Sequence, residues 1–115
     1  MNIRKLDDSL SVSPQITAGD IEIIAAKGFR SIICNRPDGE AADQPDFSQI
    51  SAAADAAGLK IRYLPVISGQ LQVQDIAEFR TALHELPAPV LAYCRSGTRS
   101  AMLWSVNESQ HETPR

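Results

Sequence analysis

Pro89-Val90-Leu91-Ala92-Tyr93-Cys94-Arg95-Ser96-Gly97-Thr98-Arg99-Ser100 runs from a short apolar strand through a cysteine and a tight loop into a helix. Val90 to Tyr93 read as a buried strand, Gly97 gives the turn few steric limits, and Arg99 to Val106 reads as helix. A loop so placed sits on a helix N-terminus, where unpaired backbone N–H groups converge and the dipole adds about half a positive charge. Arg95 and Arg99 strengthen that field in a chain of net charge -3. The stretch is therefore a cradle for phosphate, sulfate or thiolate, with Arg95, Ser96, Gly97 and Thr98 as binding residues. A thiol there is pushed toward its thiolate, which makes Cys94 a nucleophile. Taken alone, Cys94 reads equally as a small core hydrophobe. A core cysteine, however, has no use for a glycine turn, two guanidinium groups and a helix start beside it.

Outward from this stretch, the chain alternates. Ile3 to Leu6 and Leu10 to Ser13 read as a hairpin at the sheet edge, turning at Asp7-Asp8-Ser9. Thr17-Ala18-Gly19-Asp20 has the capping-box pattern of a helix that carries Ile21, Ile24 and Ala25 and closes at Gly28. Phe29 to Cys34 reads as a strand, followed by the polar loop Asn35-Arg36-Pro37-Asp38-Gly39-Glu40 and its continuation to Pro45. Asp46 caps a second helix bearing Phe47, Ile50, Ala54 and Ala57, and Leu59 to Val66 is the next strand. Ile76, Phe79, Leu83 and Leu86 mark a third helix, stopped by Pro87. Beyond Ser105 the tail is polar enough to fray and carries no chemistry.

Strand and helix alternating in this way predict an α/β fold in one domain spanning residues 1–115, a mostly parallel sheet with helices on both faces. Right-handed crossovers then bring the loops after Cys34, Val66 and Tyr93 to one carboxyl edge, where ligands bind in such sheets. The pI near 5.2 argues against nucleic-acid or anionic-membrane partners. No transmembrane run or signal peptide is visible, so a cytoplasmic location is expected. Two cysteines in a reducing compartment point to reactivity or packing. With only His84 and His111 and no clustered ligands, neither a metal site nor a cofactor is expected.

The series hairpin, helix, Ile-Ile-Cys-Asn-Arg-Pro-Asp-Gly-Glu, helix, Tyr63-Leu64-Pro65-Val66, helix, Val90-Leu91-Ala92-Tyr93-Cys94 resembles the dual-specificity cysteine phosphatases. More closely, Ile3 to Val106 resembles the phosphatase-like domain of beta-lactamase hydrolase-like proteins, on the Asn-Arg-Pro-Asp-Gly-Glu and Cys-Arg-Ser-Gly-Thr-Arg-Ser motifs. The resemblance implies a cysteine-phosphatase-like three-layer fold with an N-terminal hairpin. It also implies partners in persulfide oxidation.

Two departures bear on the reaction. Dual-specificity phosphatases place five residues between Cys and Arg, whereas four separate Cys94 from Arg99, as in rhodanese sulfurtransferases. One residue is up to ~3.3–3.6 Å of chain, a large part of a phosphoryl cradle. Those phosphatases also carry an acidic residue in the loop after the strand equivalent to Tyr63 to Val66. Here Ile67-Ser68-Gly69-Gln70 has none, and Asp38 or Glu40 would have to substitute. Lacking a proton donor forfeits roughly 10²–10⁴-fold in ester cleavage, but sulfur transfer needs none. Sulfur transfer through a Cys94 persulfide therefore ranks first, with thiosulfate or a persulfide as donor. Phosphate-ester hydrolysis through a phosphocysteine is the alternative, and a module that only binds anions comes third.

In either reaction Cys94 carries the intermediate, Arg99 binds the anion, and Ser100 is placed to hydrogen-bond the sulfur. Arg95 reads as a substrate-attracting or merely solvated charge. Cys34 reads as a buried strand residue or a resolving thiol for Cys94. Arg36, Asp38 and Glu40 read as turn residues or site residues, and Tyr63 as pocket wall or ordinary strand. Trp104 is expected to pack the last helix on the sheet, and His84 to be exposed.

Overall fold

The computed structural model describes residues 1–111. The chain runs β1 (Arg4–Lys5), β2 (Leu10–Ser13), a 3-10 turn (Ala18–Asp20), α1 (Ile21–Ala26), β3 (Ser31–Cys34), α2 (Phe47–Ala56), β4 (Lys60–Tyr63), α3 (Val73–Glu85), β5 (Val90–Tyr93) and α4 (Thr98–His111). The strands form one sheet in the order β1-β2-β5-β3-β4, antiparallel at β1·β2 and parallel elsewhere. Alternation along β5 and β3 divides the core. Val90, Ala92 and Ile33 face Phe79 and Ala82 of α3 and Leu103 of α4, while Leu91, Tyr93, Ile32 and Cys34 face Ile21, Ile24, Ile50 and Ala54 of α1 and α2. The result is a three-layer α/β arrangement, the one that the sequence resemblance implies.

Strands and their caps follow local chemistry. Asp7 Oδ1 accepts from the Ser9 and Leu10 amides at 2.8 and 2.9 Å, an Asx turn that reverses the chain into β2. Thr17 and Asp20 form the capping box, with the Thr17 amide donating to Asp20 Oδ2 at 2.9 Å. The ladders are shorter than the apolar runs that announce them. The third apolar run, Leu59 to Val66, pairs only over Lys60–Tyr63. Beyond it, the Leu64 and Val66 amides still reach Cys34 O and Asn35 O at 2.9 and 3.0 Å, while Pro65 between them has no N–H to give.

Two expectations are corrected. The hairpin is not wholly an edge feature: only β1 lies at the edge, because β2 pairs in parallel with β5 and is interior. The last helix does not end at Val106, since α4 continues to His111. Asn107, 4% exposed, explains why. Its Nδ2 donates to Leu103 O at 3.0 Å and Ile76 O at 3.4 Å, and its Oδ1 accepts from Arg80 Nε at 3.0 Å. A polar residue is thus buried with its groups satisfied, and the helix it belongs to is tied to α3. Residues 112–115 of the expected tail lie outside the described residues. Trp104 packs against the α3–α4 side of the core and donates Nε1 to Asp7 Oδ2 at 3.0 Å, and His84 is exposed. Among the described residues, no helix is long and apolar enough to cross a membrane.

One register row matters most for function. Ser13, Tyr93, Cys34 and Tyr63 are consecutive Cα partners across β2, β5, β3 and β4. All four parallel strands therefore end level, and the loops that follow them open on the same edge of the sheet.

Candidate active site

Cys94 follows β5 at the centre of that edge and is 1% exposed. Its amide donates to Ser13 O at 3.4 Å, anchoring the loop to the end of β2. The chain then turns at Gly97, whose φ is +92° and whose Cα lies so close to Ser13 that a Cβ would meet the Ser13 carbonyl carbon and oxygen at 3.4 Å. The turn brings the Gly97 amide to the Cys94 Sγ at 3.1 Å. The loop's open end is trimmed by its own side chains, with the Ser96 hydroxyl donating to Thr98 Oγ1 at 2.9 Å. α4 starts at Thr98, so the Arg99 and Ser100 amides have no partners within the helix.

Burial alone would raise the Cys94 thiol. The amides of Ser100, Ser96, Arg99 and Gly97 hydrogen-bond the sulfur and outweigh it, so its pKa lies below the ordinary thiol value. Cys94 is therefore biased toward thiolate by the same amides that would hold an anionic substrate. The Ser100 hydroxyl, in contrast, donates to Asn35 Oδ1 at 2.8 Å. Ser100 meets the sulfur through its backbone, not its side chain.

Arg99 is fixed from the neighbouring loops. Nη1 and Nη2 donate to Glu40 Oε2 and Oε1 at 2.6 and 2.9 Å, and Nη1 also donates to Val66 O at 2.9 Å. This two-pronged geometry sets the plane of the guanidinium as well as its position. Glu40 Oε1 accepts in addition from Arg36 Nε at 2.9 Å, and Arg36 Nη1 donates to Gln15 Oε1 at 3.1 Å. The Arg99 hydrogen bonds, followed by those from Arg36, hold the Glu40 carboxyl below its usual range despite partial burial. Glu40 in turn raises Arg99, and the Cys94 sulfur adds to that.

The structure distributes the other candidate residues as follows. Arg36 is buried as a strut between Glu40 and Gln15. Asp38 is exposed, and its Oδ1 accepts from the Phe47 amide at 2.8 Å, at the start of α2. Tyr63 stacks on Phe47 with ring centroids 4.7 Å apart, and its hydroxyl accepts from the Asp38 amide at 3.0 Å, which makes it a brace for that loop. Arg95 is exposed, with its carbonyl taken by the Gln15 amide at 3.3 Å. Cys34 is buried on the α1–α2 side and donates its thiol to Arg36 O at 3.3 Å. Burial raises the Cys34 thiol and the neighbouring Tyr93 hydroxyl alike, so Cys34 rests protonated.

Two supporting residues, Gln15 and Asn35, escape a reading of the sequence, as does the role of a third, Glu40. Gln15 joins the loop after β2 both to Arg95 and to Arg36. Asn35 is fully buried, donating Nδ2 to Leu64 O at 2.9 Å while accepting from Ser100. Glu40 is visible in the sequence as a carboxylate near the site, but its bond to a residue 59 positions away is not. The signal for Gln15 lies in the parallel pairing of β2, which no local pattern reveals.

The arrangement offers a thiolate, an amide cradle and an oriented guanidinium, but, among the described residues, no carboxylic acid ready to donate a proton. Glu40 is held ionised by two arginines. Asp38 faces the α2 N-terminus, and Asp75 Oδ2 accepts from the Gln72 amide at 2.9 Å as part of the α3 cap. Among the described residues, no group of three His, Cys, Asp or Glu side chains could hold a metal ion.

Comparison with known proteins accords with this geometry. A Xylella fastidiosa beta-lactamase hydrolase-like protein is 38% identical over 108 residues, covering 94% of this chain and 25% of the relative. The chain thus spans about a quarter of the length of the curated relatives it matches. A crystal structure of a candidate phosphatase from Neisseria meningitidis Z2491 superposes with a TM-score of 0.91 at 43% identity, covering 99% of this chain and 81% of that one. The core catalytic domain of a PP-IP phosphatase from S. cerevisiae, in complex with citrate, shares the fold at a TM-score of 0.72 and 10% identity, over 98% of this chain and 68% of that one. The family description that fits residues 2–111 is the beta-lactamase hydrolase-like protein, phosphatase-like domain, and the chain belongs to that family.

Proposed function

We propose that the domain is a cysteine-dependent hydrolase of small phosphate compounds, acting through a phosphocysteine on Cys94. The carrying observation is the convergence of the Ser96, Gly97, Arg99 and Ser100 amides on the Cys94 sulfur, with its depressed pKa. The phosphatase-like family and the Neisseria relative support the phosphate reading over the sulfur reading that loop length alone favours. In this cycle the thiolate attacks phosphorus, the bond from phosphorus to the leaving oxygen breaks, and that oxygen departs with the electron pair. Water then attacks the phosphorus, the S–P bond breaks, and Cys94 regains its thiolate as the excess proton passes to solvent. The cradle and Arg99 neutralise charge on the equatorial oxygens throughout. Since Glu40 stays ionised and Asp38 caps α2, the leaving group departs as an anion. Aryl phosphates, acyl phosphates and phosphoanhydrides meet that condition, and simple alkyl phosphates do not.

Sulfur transfer is the second reading, and the four-residue spacing between Cys94 and Arg99 favours it. There the thiolate attacks the outer sulfur of thiosulfate, the S–S bond breaks, and sulfite leaves with the pair. The resulting persulfide passes its outer sulfur to cyanide or an acceptor thiolate. Persulfide-oxidising enzymes would be natural partners for such a carrier. A pure binding module has less to recommend it, because binding an anion does not require an acidified thiol.

The test offers the purified protein and its Cys94→Ser variant an aryl phosphate, an acyl phosphate, and thiosulfate with cyanide. Phosphate release that vanishes in Cys94→Ser is expected. Thiocyanate formation without phosphate release would put sulfur transfer first, and inertness toward all three would leave a binding module.

A further inference from the structure

Val66, Ile67, Gly69, Leu71, Met102 and the side chain of Arg99 enclose a cleft of about 230 Å³. Among the described residues, Arg99 is the one charged side chain in that lining, and the other side chains are apolar. Ile67 is 59% exposed and Met102 47% exposed, large apolar side chains left in water directly beside the site. Leu71 packs against the core beneath them. Arg99 is common to the cleft and the site: its Nη1 donates to Val66 O at 2.9 Å, and its guanidinium interacts with the Cys94 sulfur. Neither phosphoryl nor sulfane chemistry calls for such a surface, so its use must lie in the part of the substrate that does not react.

Resting on the reading above, we propose that the substrate carries one compact apolar group, a single aromatic ring, seated between Ile67 and Met102. The anion occupies the amide cradle and Arg99 lies between the two parts. A volume below the ~300–1,000 Å³ of sites for drug-sized ligands limits the group to about one ring. A carrier bearing further charges would be desolvated against Ile67 and Met102 with only Arg99 to meet it. Ile67 and Met102 are thus specificity-determining residues, and neither takes part in the chemistry.

Binding to the Cys94→Ser protein tests this without turnover. Calorimetry compares phenyl phosphate with inorganic phosphate, in Cys94→Ser alone and combined with Ile67→Ser and Met102→Ser. Phenyl phosphate is expected to bind about tenfold or more tighter than phosphate, the effect of burying part of a ring. The added substitutions should bring the ratio toward one. Equal binding of the two anions to Cys94→Ser overturns the proposal and leaves the anion site intact. Failure of both to bind overturns the proposal together with the phosphate reading. If the combined variant does not fold, NOEs between the phenyl protons and the Met102 methyl in Cys94→Ser decide the matter, and their absence overturns the proposal.

Discussion

Cys94 is acidified by geometry alone. Four amides reach its sulfur because Gly97 turns at a positive φ and α4 begins one residue later. Reactivity should therefore track a depressed thiol pKa. Alkylation of Cys94 by iodoacetamide, followed against pH, should show its midpoint below the ~8.5 of an ordinary thiol. Cys34 should stay unlabelled in the native protein, since it is buried and its thiol is shifted the other way. Glu40 acts one step removed, as the positioning residue for Arg99. Glu40→Gln keeps the shape but weakens the two-pronged grip. An Arg99 displaced by about an ångström lowers kcat by up to ~10²-fold. Steady-state kinetics on an aryl phosphate should show that loss mainly in kcat. The pH profile should remain without a carboxyl limb above the carboxylate range, because Glu40 is not the proton donor.

β5 is the element on which the others converge, as it pairs with both β2 and β3 and hands the chain to Cys94. α4 starts just after β5 ends, and its far end is held against α3. Asn107 supplies that hold through Leu103 O, Ile76 O and Arg80. Asn107→Ala removes these hydrogen bonds from a buried place, which costs about 1–3 kcal/mol. Urea unfolding should register the loss as a lower midpoint with an unchanged slope, while activity per folded molecule is retained. The same residue explains why α4 is longer than its sequence announces. Nothing local marks a polar tail as helical when its stability comes from α3.

The fold was legible because its signals are local. Each helix carries a cap or an apolar stripe, and the β5 stretch pairs a buried run with a glycine turn. What was not legible is what crosses the sheet. Parallel pairing of β2 with β5 brings Gln15 to the site, and the Glu40–Arg99 bond joins residues far apart in the chain. The length of the Cys94 loop and the acid missing after Val66 favour sulfur chemistry, whereas family and fold support phosphate chemistry. The two agree on a leaving group that needs no proton. For the molecule as a whole, two depressed carboxyls set the acid limb of stability. Burial pushes Asp7 up, but hydrogen bonds from Trp104, Ser9 and Leu10 outweigh it, and Arg99 with Arg36 lowers Glu40. Such groups stabilise the fold above their unfolded pKa, and the contribution is lost as pH falls through the folded value. Thermal unfolding should thus show a Tm that declines below the ordinary carboxylate range, less so in Asp7→Asn. The covalent intermediate itself decides most. An aryl phosphate mixed with the protein, quenched in acid within the first turnovers and digested for mass spectrometry, should leave one phosphoryl group on the Cys94 peptide and none in Cys94→Ser. Turnover that persists in Cys94→Ser, or proceeds with Cys94 unmodified at every quench time, would contradict the account.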